Sequence, residues 1–460
     1  MTLRLYQTRA IEQLRENVRR RILRQLLVAP TGAGKTTIAA EVIRRAVERG
    51  RRVWFVAHRR ELISQCSARL TQHGIEHGII QADTPETESL VQVISLQTLV
   101  RRADGRYPAP DLIIIDEAHR ATANSYTSIL ALAPSATVIG LTATPWRADG
   151  SPLGNLFETI VLVATPEELI SDGFLLTPRV FSGTAPDLNL LPVARGDYVT
   201  GDLELRMTPK LTGEIIANWR HTVRKGRTVV FAVSVKHSRA LVEAFQREGI
   251  RAAHVDAETP KPERDQILAG VHSGDCEVVC NVGILTEGWD LPSLSAVVLA
   301  RPTKSEGLFL QMCGRGMRPF PGKREFLLLD HGGCITQHGF PQETRNYSLT
   351  TKLPRPKPKA LKTCKQCFFV YEVGPTACPE CGYEPTPAER KALEVEEGIL
   401  LEREYRKREA QVAEAERLAE LRRLYEIEKQ KSYRRGWVDH VYVKKFKEKP
   451  TEALRRKARV

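Results

Sequence analysis

Residues 29–36, Ala-Pro-Thr-Gly-Ala-Gly-Lys-Thr, decide the fold. The apolar run Gln25–Val28 precedes them, and apolar residues with helical spacing follow from Ile38 to Glu48. Between a strand and a helix, glycines let backbone N–H groups converge on phosphates, and the helix N-terminus adds positive potential. The pattern predicts a loop that binds the phosphates of a nucleotide. The residues expected to hold them are Thr31, Gly32, Ala33, Gly34, Lys35, Thr36 and Thr37.

An acidic pair, Asp116 and Glu117, follows the apolar run Leu112–Ile115. A carboxylate at a strand end beside the phosphate loop can hold Mg²⁺, so we expect Asp116 and the Thr36 hydroxyl to be its ligands. The neighbouring Glu117 can take a proton from the attacking water. Lys35 is expected to reach the β- and γ-phosphates. These features predict ATP hydrolysis.

Continuous Val/Ile/Leu runs, each leading into a helix, indicate parallel sheets covered on both faces. The pattern restarts after about Thr208, which predicts an α/β fold with two similar domains. Active sites of such sheets lie at the carboxyl ends of the strands. The other predicted strands are Arg52–Ala57, Val91–Ser95 and Ala136–Leu141 in the first domain, and Thr228–Ala232, Arg251–Val255, Glu277–Asn281, Ala296–Ala300 and Glu325–Leu329 in the second.

The charge balance points to a polyanionic partner. The 460 residues include 69 basic and 55 acidic side chains, a formal net charge of +14. Nucleic acid is the first candidate, although net charge also serves solubility. No stretch approaches the ~18 to 20 apolar residues of a membrane span, and Met1–Arg9 lacks the apolar core of a secretory signal. We therefore expect a cytoplasmic protein without a membrane partner.

Further segments resemble the ordered motifs of superfamily-2 helicases. Asp-Glu-Ala-His at residues 116–119 is similar to their motif II, and Leu-Thr-Ala-Thr-Pro at residues 141–145 to the motif that follows it. Residues 281–290 resemble motif V, and residues 311–318 fit the Q-x-x-G-R-x-x-R pattern of motif VI. The resemblance spans about residues 3–335 and implies two tandem RecA-like P-loop domains.

The resemblance implies a nucleotide site shared by both domains. Arg4 and Gln7 resemble the N-terminal motif that reads adenine. Arg315 and Arg318 are three residues apart and are expected to share one helix face, from which they stabilise charge on the γ-phosphate. Hydrolysis would then require the cleft between the domains to close, whereas surface salt bridges are the alternative. Further residues expected at this site are Gln311, Gly288 and Asp290.

A second set of residues is implied to couple the ATP state to nucleic acid. His58 and Arg59 lie in a segment similar to the one that grips a nucleic-acid backbone. For His119 and the two threonines of residues 142–144, loop and turn formation is the plain alternative. The full coupling set is His58, Arg59, Gln97, Thr98, His119, Thr142, Thr144 and Thr286.

Four cysteines form two C-x-x-C pairs late in the chain. They are Cys364, Cys367, Cys378 and Cys381. Four thiolates at this spacing suit a structural, tetrahedral Zn²⁺, with a redox dithiol as the alternative. Residues 368–371 between the pairs are expected to form the short hairpin of a zinc ribbon. The other cysteines are scattered, which indicates a reducing compartment rather than a disulfide framework.

The predicted organisation has five parts. In the order of its parts the chain resembles bacterial RadD-type repair helicases and phage DEAD/DEAH-box helicases. The RadD type commonly has cysteine where Ala118 stands. The parts are RecA-like domain 1 with the ATP loop (1–165), RecA-like domain 2 with the arginines (166–345), a linker (346–360), the zinc ribbon (361–385) and a charged helical and basic tail (386–460).

The tail divides into two regions. Residues 389–431 are dense in Glu, Arg, Ala and Leu and predict a long solvated helix. The last thirty residues carry eleven Lys/Arg against three Asp/Glu, with Tyr433, Trp437, Tyr442 and Phe446 interleaved. Basic residues follow phosphates and aromatic rings stack on bases, so this end is a candidate nucleic-acid arm. Packing on the zinc ribbon is the alternative.

Together these features predict an ATP-dependent helicase or translocase that acts on nucleic acid. DNA, rather than RNA, is the expected substrate. The expected setting is repair, recombination or replication restart in a bacterium or phage, and the resemblance favours 3′-to-5′ movement. A duplex translocase or restriction-type motor subunit that leaves strands paired stays open. So does an ATP-gated repair platform that recruits a repair or single-strand-binding protein through the ribbon or tail.

Overall fold

The computed structural model describes residues 3–81, 88–101, 107–120, 123–147, 151–189, 191–194, 196–350, 360–386, 417–428, 436–446 and 449–459. The chain forms two compact units, Met1–Cys381 and Gly382–Val460. The first unit holds two parallel sheets with helices between the strands, which confirms the predicted α/β class with tandem RecA-like domains. None of the described helices is both long and apolar enough to cross a membrane.

The first sheet contains seven parallel strands. They are β1 Arg24–Val28, β2 Val53–Ala57, β3 Gly78–Ile80, β4 Val91–Ser95, β5 Leu112–Ile115, β6 Thr137–Thr142 and β7 Thr159–Leu162, in the order β3-β4-β2-β5-β6-β1-β7. The helices of this region are α1 Leu5–Arg19, α2 Lys35–Val47, α3 Arg60–Gln72, α4 Leu96–Arg101, a 3₁₀ turn Ala118–Arg120 and α5 Ala123–Leu132. Because β1 and β5 flank β6, the phosphate loop, the acidic pair and residues 142–144 leave the sheet at one edge.

The second sheet contains six parallel strands. They are β8 Pro178–Ser182, β11 Thr228–Phe231, β12 Ala252–Val255, β13 Val278–Asn281, β14 Ala296–Leu299 and β15 Phe326–Asp330, in the order β12-β13-β11-β14-β15-β8. A separate hairpin joins β9 Val193–Ala194 to β10 Asp197–Tyr198. The helices are α6 Pro166–Ser171, α7 Thr200–Glu204, α8 Pro209–Thr222, α9 Val235–Arg247, α10 Lys261–Ser273, α11 Glu306–Gly314 and α12 Cys334–His338.

After the second sheet the chain returns to the first one. The ring of Tyr347 lies 5.5 Å from that of Trp146, centroid to centroid. The backbone N–H of Gly154 donates to the carbonyl of Leu349 at 2.8 Å. Residues 346–350, placed in the predicted linker, therefore pack against the first domain, and the predicted segment bounds stay predictions.

The second unit has a small helical core of its own. Residues 417–428, Trp437–Phe446 and Glu452–Arg459 are helical, and their apolar faces meet around Tyr442, which is 1% exposed. A ring buried in this way cannot stack on a base. The prediction that Tyr442 is one of the base-stacking rings of a nucleic-acid arm was therefore wrong. Of the long helix predicted over residues 389–431, all but 417–428 lies outside the described residues, as does Tyr433.

Candidate active site

The phosphate loop runs from the end of β1 into the first turn of α2. Gly32 and Gly34 have φ angles of 94° and 84°, a region that glycine adopts without steric cost. A Cβ atom on Gly34 would lie 2.5 Å from Nε2 of Gln7, so a side chain would also be excluded by space. Nζ of Lys35 lies 3.0 Å from Oε1 of Glu117, which joins the loop to the acidic pair.

The segment around the start of α1 lies beside this loop. The Tyr6 hydroxyl and Nε2 of Gln7 both donate to the carbonyl of Ala33, each at 3.2 Å. The guanidinium of Arg4 lies 3.9 Å from the ring centroid of Phe174. Arg4 and Gln7 therefore lie beside the phosphate loop, and their reading of a base stays a prediction. Phe174 was missed, because a single aromatic residue between elements carries no sequence pattern.

The acidic pair occupies the turn after β5. Glu117 has a φ of 46°, a left-handed conformation that non-glycine residues rarely adopt and that clusters at functional sites. Burial acts to raise the pKa of Glu117, but the charge and the hydrogen bond of Lys35 outweigh it and lower the pKa, so the carboxylate is ionised at neutral pH. Burial and the Glu117 charge raise the pKa of Asp116 to about 7, which a bound cation would reverse.

A hydrogen-bonded chain leads from the acidic pair to residues 142–144. Nδ1 of His119 lies 3.0 Å from Oγ1 of Thr142, and this hydroxyl donates to the carbonyl of Thr144 at 2.6 Å. Since the only hydroxyl proton is used there, Nδ1 must be the donor. Burial lowers the pKa of His119, so the ring is neutral at neutral pH. His119 and both threonines therefore have structural partners that connect them.

Glycines of the second domain meet the first domain at three points. A Cβ on Gly314 would lie 2.4 Å from Cβ of Thr31 in the phosphate loop. A Cβ on Gly307 would lie 3.0 Å from Oγ1 of Thr144. A Cβ on Gly288 would lie 3.0 Å from Cβ of Glu61 in α3, so Gly288 faces that helix. The cleft between the two sheets is closed at these contacts.

The two arginines of residues 311–318 have different surroundings. Arg315 donates to the carbonyl of Thr286 through Nε at 3.1 Å and also bonds the carbonyl of Trp289. Burial lowers the pKa of Arg315 to about 10. Arg318 lies over the phosphate loop. Its Cγ and Nε atoms are 3.5 and 3.8 Å from the point where a Cβ atom on Gly32 would lie. Its buried Nε has no hydrogen-bond partner among the described residues.

The prediction that both arginines share one helix face was wrong. Helix α11 ends at Gly314, and Arg315 is its C-terminal cap. A Cβ on Gly316 would lie 1.8 Å from the ring of Phe326, so the chain turns there to pass a core side chain. Arg318 therefore lies beyond the end of the helix, and its side chain lies over the phosphate loop.

The other predicted residues lie around this cleft. Asp290 pairs with Arg318, and Gln311 is buried in α11. Nε2 of Gln97 donates to the carbonyl of His58 at 3.0 Å, while Thr98 is buried. His58 and Arg59 contact Glu287 of the second domain at 3.4 and 3.5 Å. Glu287 was missed because its partners are remote in sequence.

The cysteines converge as predicted. Sγ of Cys364 lies 3.7 Å from that of Cys381, Sγ of Cys367 lies 3.7 Å from that of Cys378, and all four sulfurs lie within 4.8 Å of one another. Four sulfurs at about 2.3 Å from Zn²⁺ form a tetrahedron with edges of about 3.8 Å. The donor set therefore fits zinc.

The hairpin beside this cluster differs from the predicted one. It pairs β16 Leu361–Thr363 with β17 Val370–Glu372 and so encloses the first cysteine pair. Of residues 368–371, Val370 and Tyr371 belong to its second strand. The backbone N–H of Ser182, in edge strand β8, donates to the carbonyl of Phe368 at 2.9 Å, so the ribbon is joined to the second sheet.

Two family descriptions match the chain. Residues 1–147 match "Type III restriction enzyme, res subunit", and residues 209–319 match "Helicase conserved C-terminal domain". A 51.5 kDa protein of Lactococcus phage (isolate 7-9) is 29% identical over 78% of each chain. The putative ATP-dependent helicase IRC3 of Saccharomyces cerevisiae is 34% identical over 72% of this chain, which spans 52% of that protein.

A solved structure shares the fold. The fragment of a putative HsdR subunit of a type I restriction enzyme from Vibrio vulnificus aligns with a TM-score of 0.58 and 24% identity, over 74% of this chain and 67% of that one. Two parallel sheets that close on one phosphate loop define a two-domain ATPase motor. The chain belongs to superfamily 2 of the helicases, and a probable helicase of Escherichia phage T5 is among its relatives.

Proposed function

We propose that the chain uses ATP hydrolysis to move along DNA and to separate its strands. The observation that supports this is the division of the site: Lys35 and Glu117 belong to the first domain, and Arg318 reaches the phosphate loop from the second. Residues from two domains meet only when the cleft closes, so the nucleotide can control domain closure. We propose repair, recombination or replication restart as the setting.

In the proposed cycle the phosphates of ATP take Lys35 away from Glu117. Oε2 of Glu117 is buried without a hydrogen-bond partner among the described residues and lies 3.4 Å from Nδ1 of His119. Glu117 can then orient and deprotonate the attacking water. The hydroxyl of Thr36 and the carboxylate of Asp116 are oxygen donors of the kind Mg²⁺ prefers, and Mg²⁺ would neutralise charge on the phosphates.

The direct test compares ATP turnover in the presence of single-stranded DNA, duplex DNA, forked DNA and RNA. We expect DNA to raise kcat and RNA to leave it near the unstimulated value. Forked DNA with a free 3′ tail should be unwound, and the matched fork with a 5′ tail should stay paired. Equal stimulation by RNA would overturn the choice of substrate, and a paired 3′-tailed fork would overturn strand separation.

A duplex translocase that leaves strands paired is the second candidate. The match of residues 1–147 to a restriction-enzyme family favours it. Such a motor displaces the third strand of a triplex on duplex DNA without opening a fork. Triplex displacement together with failure to unwind both forks would select this candidate.

We further propose that the four cysteines hold a structural Zn²⁺ and that the ribbon is a docking element for DNA or a repair protein. So small a hairpin buries too little apolar surface to fold without the metal. Its exposed apolar side chains are Phe368 at 40% and Val373 at 58%. Because the ribbon is joined to β8, it would move with the second domain.

Removal of zinc should release the ribbon from the sheet. We expect one Zn²⁺ per chain by elemental analysis, its loss in Cys364→Ser, and its retention in the control Cys276→Ser, a cysteine outside the cluster. The amide of Ser182 donates to the ribbon carbonyl of Phe368, so its hydrogen exchange should accelerate after chelation. Unchanged exchange at Ser182, or retention of zinc in Cys364→Ser, would contradict the proposal.

A further inference from the structure

Glu287 is a buried carboxylate of the second domain, and its ion-pair partners among the described residues, His58, Arg59 and Arg120, come from the first. Glu287 belongs to the segment that connects β13 to β14, and its side chain is 1% exposed. Oε1 is 2.7 Å from Nε and 2.6 Å from Nη2 of Arg120. Oε2 is 3.4 Å from Nε2 of His58 and 3.5 Å from Nε of Arg59. One carboxylate thus joins two loops of the opposite domain.

The charges of this cluster do not cancel. Burial acts to raise the pKa of Glu287, but contact with His58 and the charges of Arg120 and Arg59 outweigh it and hold the pKa well below its usual range. Glu287 is therefore ionised, and two guanidinium groups face one carboxylate. The side chain of Arg59 is 29% exposed and that of Arg120 is 36% exposed. The two guanidinium groups are therefore on the solvent side of the Glu287 carboxylate.

A carboxylate that grips one edge of a guanidinium fixes the direction of the remaining N–H groups. Guanidinium groups held in this way match the oxygens of a phosphate, which they bind with charge-assisted, bidentate hydrogen bonds. Glu287 reaches the two arginines only when the cleft is closed, because they lie on opposite domains. Arg120 follows the acidic pair by three residues, so a ligand here is close to Glu117 in the chain.

We propose that Arg120 and Arg59, oriented by Glu287, form a composite site for one backbone phosphate of a nucleic acid, complete only in the closed state. The proposal rests on the proposed function and adds Arg120 and Glu287 to the residues that serve it. Glu287 is a positioning residue, and the arginines make the contact. Closure around ATP would then create a grip on the strand that opening removes.

Salt dependence of DNA binding tests the composite site. The affinity for DNA falls as salt rises, and each phosphate contact to single-stranded DNA adds about 0.7 to the magnitude of the slope of log affinity against log salt. With a non-hydrolysable ATP analogue bound, Arg120→Ala should lower this slope for oligo(dT) by about 0.7. Without nucleotide the slope should equal that of the unmodified chain. The matched control is Arg19→Ala, an exposed arginine paired with Glu16 on α1, which should alter neither slope.

Glu287→Gln supplies the second measurement. The change keeps the shape of the side chain and removes the charge that orients the arginines. The ATP analogue should therefore no longer increase the salt dependence of oligo(dT) binding. The proposal fails if Arg120→Ala lowers the slope equally with and without nucleotide, or lowers it in neither state. Absence of DNA binding by the unmodified chain would instead refute the proposed function.

Discussion

Arg318→Ala should lower kcat for ATP hydrolysis by about 10³- to 10⁵-fold, the range for loss of an arginine that stabilises transition-state charge. Arg318 reaches the phosphate loop across the cleft, and its buried Nε has no hydrogen-bond partner among the described residues. A donor placed there is available for the γ-phosphate. Steady-state turnover at saturating DNA, with ATP binding measured separately, tests the prediction. Binding should change far less than kcat.

Two comparisons give this prediction its specificity. Arg324→Ala removes an exposed arginine from the same region and should leave turnover unchanged. Arg315→Ala should also reduce turnover, but for a structural reason. The carbonyls of Thr286 and Trp289 lose the group that donates hydrogen bonds to them. Buried groups left unpaired cost about 1–3 kcal/mol each, so only Arg315→Ala should lower the thermal midpoint. Full turnover in Arg318→Ala would refute its assignment.

Features that depend on neighbouring residues could be predicted from the sequence. Every predicted strand is present with its ends within one residue, because a strand buried on both faces needs a continuous apolar run. In the two parallel sheets, the strands that were missed are β3, β7 and β8. Each is either short or partly exposed, so its apolar pattern is weak. The phosphate loop and the cysteine cluster were predicted because their chemistry fixes local spacing.

Features that depend on tertiary contacts could not be predicted. Glu287 is an ordinary acidic residue in the chain, and only closure places it against Arg59 and Arg120. The spacing of Arg315 and Arg318 suggested a helix, but the packing of Gly316 on Phe326 ends it. The contacts of Glu287 join segments that are distant in sequence, and the Gly316–Phe326 contact joins the end of a helix to the next strand of the same domain.

Glu117→Gln should reduce kcat by about 10²- to 10⁴-fold, the usual contribution of a general base. The amide keeps the shape of the side chain but cannot accept the proton of the attacking water. Asp111→Asn is the matched control, because Asp111 is an exposed carboxylate at the start of the same strand and pairs with Arg51. Its turnover should be normal.

The effect of Glu117→Gln on ATP binding distinguishes a base from a structural acid. Lys35 is bound to Glu117 at 3.0 Å, and ATP must compete with that carboxylate for the ammonium group. Removal of the charge ends the competition, so ATP should bind as tightly as before or more tightly while turnover collapses. Lys35→Ala should instead lose both binding and turnover. Weaker ATP binding in Glu117→Gln would mean that Glu117 only supports the phosphate loop.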